Sequence, residues 1–151
     1  MSELMDLYQE VILDHNRQPR NFGPLPDADH TAEGYNPLCG DRLKLYLTMD
    51  GDRVAEVRFE GSGCAISKAS ASLMTEMIVG KTAAQVEELF RGFHELLTGD
   101  PSVKAKAAQE LGKLAVFEGV REYPIRVKCA TLAWHTLQAA IKAEPEIVST
   151  E

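Results

Sequence analysis

Cys39 and Asp41 stand on either side of Gly40 in the stretch NPLCGDRLKLYL, and a thiol and a carboxylate are both metal donors. On an extended strand, residues i and i+2 point to the same side, so Cys39 and Asp41 can face one ion. The chain has 3 cysteines, and the other two are Cys64 and Cys129. Three thiolates and one carboxylate make a tetrahedral donor set that suits zinc, or a Lewis-acidic iron, with Zn–S bonds of about 2.3 Å. A carboxylate is the weakest-held member of such a set, so the site would be exchangeable. Spacing alone leaves a second reading open. Dozens of residues separate the cysteines, no CxxC pair occurs, and cysteine also serves as a small buried hydrophobe.

The elements that must position these residues follow from periodicity. Leu4, Leu7, Tyr8, Val11 and Ile12 make a helical stripe that can start from Ser2 as N-cap. The proline-rich NRQPRNFGPLPDAD ends that helix. A short strand is expected around HTAEGY. A hairpin follows, with Leu43, Leu45, Leu47 and Met49 inward on one strand, Ala55, Val57 and Phe59 inward on the next, and the turn at Asp50-Gly51. A helix from about Cys64 to Val79 is closed by Gly80, and Thr82 with Gln85 forms a capping box for another. A further amphipathic stretch carries Val103, Ala107, Leu111 and Leu114. The last helix buries Ala130, Ala133, Trp134, Leu137 and Ile141.

Each cysteine thus falls at an element end. Cys39 lies on the loop into the hairpin, Cys64 at a strand-to-helix junction, and Cys129 in the first turn of the last helix. Free amides and the macrodipole at the two helix starts favour a thiolate. Gly40, Gly61 and Gly63 let backbone come close to whatever the sulfurs bind. The expected architecture is α+β, a small three-stranded antiparallel sheet with several helices packed on one face. Residues 1–145 read as one domain, and 146–151 as a short, frayed tail.

Composition narrows the function classes. In 151 residues, 16 Lys and Arg face 23 Asp and Glu, for a net charge of −7. That balance argues against nucleic acid as a partner. No apolar run reaches membrane-spanning length and the N-terminus does not read as a targeting peptide, so a cytoplasmic location is expected. In that reducing compartment, an odd number of cysteines points to free thiols, metal ligands or nucleophiles.

Four stretches carry a resemblance. DHNRQPRNFG, NPLCGD, GSGCAISKASASLM and RVKCATLAW occur in order and in register from about Tyr8 to the last helix. Together they resemble the iron–sulfur cluster assembly proteins of the IscU / NifU N-terminal family. The resemblance implies that Cys39, Asp41, Cys64 and Cys129 are the metal or cluster ligands. Two departures suggest a branch. Lys128 stands where IscU-type scaffolds have histidine before the third cysteine, and REYPIRVKC replaces their LPPVK stretch. With the longer segment between Cys64 and Cys129, these features look like the SufU branch, whose members resemble zinc-bound sulfur acceptors working with a SufS-like cysteine desulfurase.

The implied activity is acceptance of persulfide sulfur on Cys39, which sits on a Pro- and Gly-flanked loop, with docking freeing Cys39 while Asp41, Cys64 and Cys129 keep the ion. That would make the chain a zinc-dependent sulfurtransferase. The alternative is a non-enzymatic scaffold, with the same four residues holding a transient [2Fe-2S] cluster for apo-protein recipients. Arg126 and Lys128, beside Cys129, are accessory candidates for stabilising a thiolate or persulfide. His15 reads as a helix-end cap, Arg20 and Asn21 as loop-shaping residues, and His30, His94 and His135 as surface or capping residues.

Overall fold

The computed structural model describes residues 3–37, 40–99, 112–142 and 148–149. Helix α1 (Glu3–Arg17) leads through a loop to strands β1 (His30–Asn36), β2 (Asp41–Asp50) and β3 (Arg53–Ser62). Helices α2 (Ala65–Ile78) and α3 (Ala83–Thr98), a 3-10 helical stretch (Gly112–Glu122), helix α4 (Pro124–Ile141) and the two-residue strand β4 (Val148–Ser149) complete it. The three expected strands are antiparallel neighbours in the order β3-β2-β1. Beyond them, β4 pairs in parallel with Gly34 and Tyr35 of β1. Two residues of the tail that was expected to fray therefore extend the sheet to four strands. Ser2 and most of the stretch holding Val103, Ala107 and Leu111 lie outside the described residues, while Leu114 is buried in the 3-10 stretch.

The hairpin departs from simple alternation at one point. Leu43, Leu45 and Leu47 face the core as expected, but the register slips between Thr48 and Met49, where Met49 pairs with Val54 and Thr48 with Glu56. A bulge of this kind places one extra residue on one strand and flips the faces beyond it. Val54 is consequently buried and Ala55 exposed, the reverse of the even period.

Helices cover one sheet face. Helix α4 packs across β1 and β2, and α2 across β3 and α1. Close approach of α4 to β1 depends on Gly34, where a Cβ would come within 2.1 Å of Thr136 Oγ1 and 3.1 Å of Leu132 Cδ1. Trp134 of α4 stacks on Phe90 and meets Phe93 of α3, with ring centroids 6.0 and 5.4 Å apart. Each such fully buried apolar side chain contributes about 2–3 kcal/mol by leaving water. Helix α3 starts with the capping box as read, Thr82 accepting from Gln85 N–H and the Gln85 side chain accepting from Thr82 N–H.

The loop after α1 is tied to both α2 and β3. Asn21 adopts φ 54, a left-handed conformation that asparagine tolerates. Its carbonyl accepts from Phe59 N–H, and Gly23 N–H donates to the Phe59 carbonyl, which covers part of the β3 edge. Arg20 N–H donates to Ser72 Oγ at 2.8 Å and Asn21 Nδ2 to Thr75 Oγ1 at 3.1 Å. His15 is no surface cap. It is 3% exposed, with Nδ1 2.7 Å from Ser72 Oγ and Nε2 3.5 Å from Glu76. Ser72 Oγ thus joins the Arg20 N–H and the His15 ring in one buried hydrogen-bonded group.

Candidate metal centre

Asp41 opens β2 opposite Asn36, the last residue of β1, and the alternation that buries Leu43 and Leu45 also turns Asp41 inward. Cys64 is the N-cap of α2, with extended backbone. Cys129 lies on the buried side of α4. One carboxylate oxygen and two sulfurs from these three elements all lie within 4.8 Å of one another. Among the described residues this is the one such group of His, Cys, Asp or Glu. Ligands at about 2.0–2.3 Å from a tetrahedral ion sit roughly 3.5–3.8 Å apart. Asp41 Oδ2 and Cys64 Sγ, at 3.9 Å, are already close to that spacing. Two soft sulfurs and a carboxylate fit zinc by donor chemistry as well as by distance.

The donors are held individually. Asp41 is fully buried, and its Oδ1 accepts the Cys64 N–H at 2.9 Å, leaving Oδ2 toward the sulfurs. Gly63 makes room for that carboxylate, since a Cβ there would lie 2.4 Å from Oδ1. Cys64 Sγ accepts the Ser67 N–H at 3.4 Å, as an N-cap side chain does. Cys129 is fully buried and receives the Asn36 side-chain amide at 3.6 Å.

Cys129 does not sit in the first turn of its helix. Pro124 occupies a first-turn position, where its fixed φ and missing N–H cost nothing, so α4 starts earlier than expected and Cys129 falls in its second turn. The helix-start argument therefore holds for Cys64 and fails for Cys129. Cys39 lies outside the described residues. On its two sides, Gly40 N–H donates to the Asn36 carbonyl at 2.8 Å, and Gly40 takes φ 71.

The accessory candidates share α4 with Cys129. Arg126 is exposed and Lys128 half-buried. Arg126 lines a cleft of about 540 Å³ together with Cys64, Tyr123 and Ile125, and these last two side chains are 60% and 53% exposed. The cleft gives Cys64 an opening that Cys129 lacks. None of His15, His30, His94 and His135 belongs to the cluster. Burial pushes His135 below the usual histidine range, helped by His94. Asn36 escaped the sequence reading, and Gly63, read as letting backbone approach the sulfurs, makes room for the Asp41 carboxylate as well. The available signal for Asn36 was a polar side chain at an inward strand position, in line with Ala32 and Gly34.

Comparison with known proteins bears on family and fold. Residues 7–130 match the model of the NifU-like N terminal domain. The chain is 40% identical over 146 residues to the zinc-dependent sulfurtransferase SufU of Bacillus subtilis, covering 95% of each. It is 38% identical over 142 residues to the iron–sulfur cluster assembly scaffold protein IscU of Streptococcus pyogenes, covering 94% of this chain and 87% of that one. The crystal structure of a nitrogen-fixing NifU-like protein (N-terminal) from Brucella abortus superposes with TM-score 0.79 at 26% identity, covering 94% of this chain and 96% of that one. With its motifs, its sheet and helices and its Asp41–Cys64–Cys129 cluster in agreement, the chain belongs to the NifU-like N-terminal domain family.

Proposed function

We propose that the chain is an iron–sulfur cluster assembly protein that accepts persulfide sulfur from a cysteine desulfurase onto Cys39, with Cys39, Asp41, Cys64 and Cys129 as zinc ligands. The observation that carries this reading is the convergence of Asp41, Cys64 and Cys129, from three elements, to within 4.8 Å. Zinc held there would keep its cysteines deprotonated and tie the element ends together, a contribution of about 10–16 kcal/mol in small structural sites. Residues 1–145 act as one domain in this reading, and the working compartment is the cytoplasm, where thiols stay reduced.

The chain's own residues divide the work. Asp41, Cys64 and Cys129 are anchored by backbone and buried side chains, so they hold. Cys39 stands two residues before Asp41, and two peptide links keep its Cα within about 7.6 Å of the Asp41 Cα. It approaches the partner and the ligand set on one short tether. The Cys39 thiolate attacks the terminal sulfur of the desulfurase persulfide. The new Cys39–sulfur bond forms as the bond between that sulfur and the desulfurase cysteine breaks. The persulfide proton travels with the transferred sulfur, and the desulfurase leaves as thiolate. Arg126, exposed beside the cleft that Cys64 lines, and Lys128 supply positive charge for that anionic exchange. The exposed Tyr123 and Ile125 form the apolar part of the docking face, and the partner is a SufS-like enzyme.

A second reading has the same donors building a [2Fe-2S] cluster for apo-protein recipients, and the 38% identity to a named scaffold favours it. The two readings separate in an anaerobic reaction with a cysteine desulfurase and cysteine, read by intact mass after alkylation and by bound metal. Sulfur on Cys39 with zinc kept near one per chain supports the acceptor. A visible-absorbing cluster that grows on adding ferrous iron as zinc leaves, without prior sulfur gain, supports the scaffold. Full sulfur acceptance by Cys39→Ala refutes Cys39 as acceptor.

A further inference from the structure

Asn36 ends β1 with its side chain fully buried. A buried amide is costly unless its hydrogen-bonding groups are used. Here Nδ2 donates to Cys129 Sγ at 3.6 Å. The same residue pairs with Asp41 in the β1–β2 register, and its carbonyl accepts from Gly40 N–H. One side chain and its backbone therefore touch a candidate sulfur ligand, the strand position of the carboxylate ligand, and the far side of the segment that contains Cys39.

The two described sulfurs also differ in which groups donate to them. Cys64 is served by the Ser67 backbone N–H at the start of α2. Cys129, in the second turn of α4, is beyond the free amides of its helix, whose first-turn donors point away from the interior of the element. A side-chain donor takes that role. An N–H···S bond orients a thiolate and draws electron density from it, and such supporting contacts govern how well a ligand holds its metal.

We propose that Asn36 is a positioning residue that assigns Cys129 to holding the metal. Its amide fixes the direction of the Cys129 sulfur, so this buried thiol serves as a holding ligand. This rests on the metal-ligand reading given above, and the test separates the two.

Cobalt(II) is the probe, titrated into the full chain and into Asn36→Leu, of similar size without a donor, and Asn36→Asp, of similar shape with an acceptor in its place. The wild type is expected to show thiolate-to-cobalt charge-transfer bands. Both variants should shift those bands to longer wavelength and lose about 10- to 100-fold in cobalt affinity. Wild-type bands that persist unshifted, at unchanged affinity, in folded variants overturn the role of Asn36 and leave the metal reading standing. No thiolate bands in the wild type would overturn both. If neither variant folds, wild-type protein loaded with cadmium-113 decides the matter. Scalar coupling between the metal and the Asn36 side-chain amide proton supports the hydrogen bond to the ligand sulfur, and its absence overturns it.

Discussion

Replacing Gly63 by alanine places a methyl against the Asp41 carboxylate, and the structure sets the size of the effect. A Cβ at position 63 would lie 2.4 Å from Oδ1, 3.0 Å from Cγ and 3.1 Å from Cβ of Asp41. Contacts under 3.0 Å are essentially never made by real Cβ atoms, so Oδ1 must retreat by about 0.6 Å or more, the difference between 3.0 and 2.4 Å. Asp41 is fully buried and cannot swing into solvent. The retreat lengthens the Cys64 N–H bond to Oδ1, now 2.9 Å, and a hydrogen bond to a charged group is worth about 1.5–3 kcal/mol. It also turns Oδ2 away from Cys64 Sγ, so zinc affinity should fall about 10- to 100-fold. Competition with a chromophoric chelator measures the affinity, and chemical denaturation of metal-free protein measures the stability. A double-mutant cycle with Asp41→Ala isolates the clash, since truncating the carboxylate should recover most of the stability lost in Gly63→Ala. An affinity within twofold of wild type, or a cycle with no coupling, would refute the steric argument.

His15 is held below the usual histidine range by burial, then by the nearby Arg20, with Lys113 adding and Glu76 and Asp14 opposing. The unfolded chain therefore takes up a proton first, near 6.5, and stability is lost as pH falls from there through the folded value. Melting temperature should decline over that window, less steeply in His15→Gln, and an unaltered slope in the variant would exclude His15 as the source. Thr82→Ala removes the capping box of α3 and should cost about 1 kcal/mol in urea denaturation; a loss below about 0.3 kcal/mol would show that tertiary packing alone sets that helix start. The Arg121 guanidinium closes the end of α3 by donating to the carbonyls of Leu96, at 3.1 Å, and Gly99. Arg121→Met should destabilise by about 1–2 kcal/mol and speed hydrogen exchange in the last turn of α3.

Much of this arrangement was legible because it rests on local rules. Gly51, the Thr82–Gln85 box and Gly80 each announce a boundary through backbone chemistry, although the hairpin turns at Gly51 and Asp52, one residue later than read, with Asp50 still paired to Arg53. Cys64 at the start of α2 follows from the glycine-flanked end of β3. Other features depend on contacts far apart in the chain. The slip at Thr48 and Met49 is a choice between two registers that both bury leucines on β2, and the packing of Val54 decides it. His15 looked like a helix-end cation because Ser72 reaches it only once α1 lies on α2. The start of α4 was read late because REYP resembles a loop, although proline suits a first helical turn. For the site, residue types pointed to the candidate donors, and only the fold shows that Asp41, Cys64 and Cys129 meet and that Asn36 and Gly63 attend them.

The absence of a side chain at Gly34 carries a consequence for how such a sequence can drift. A methyl at position 34 would run into Thr136 and Leu132 of α4, so these three positions are not free to change one at a time. A lineage that acquires alanine at 34 must shrink 136 in the same step, or pass through an ancestor whose last helix stands off the sheet. Cys129 rides on that helix and Asn36 ends that strand. The spacing inherited at position 34 is thus a condition for keeping Cys129 beside Asp41 and Cys64, and the three positions should covary among descendants that keep it.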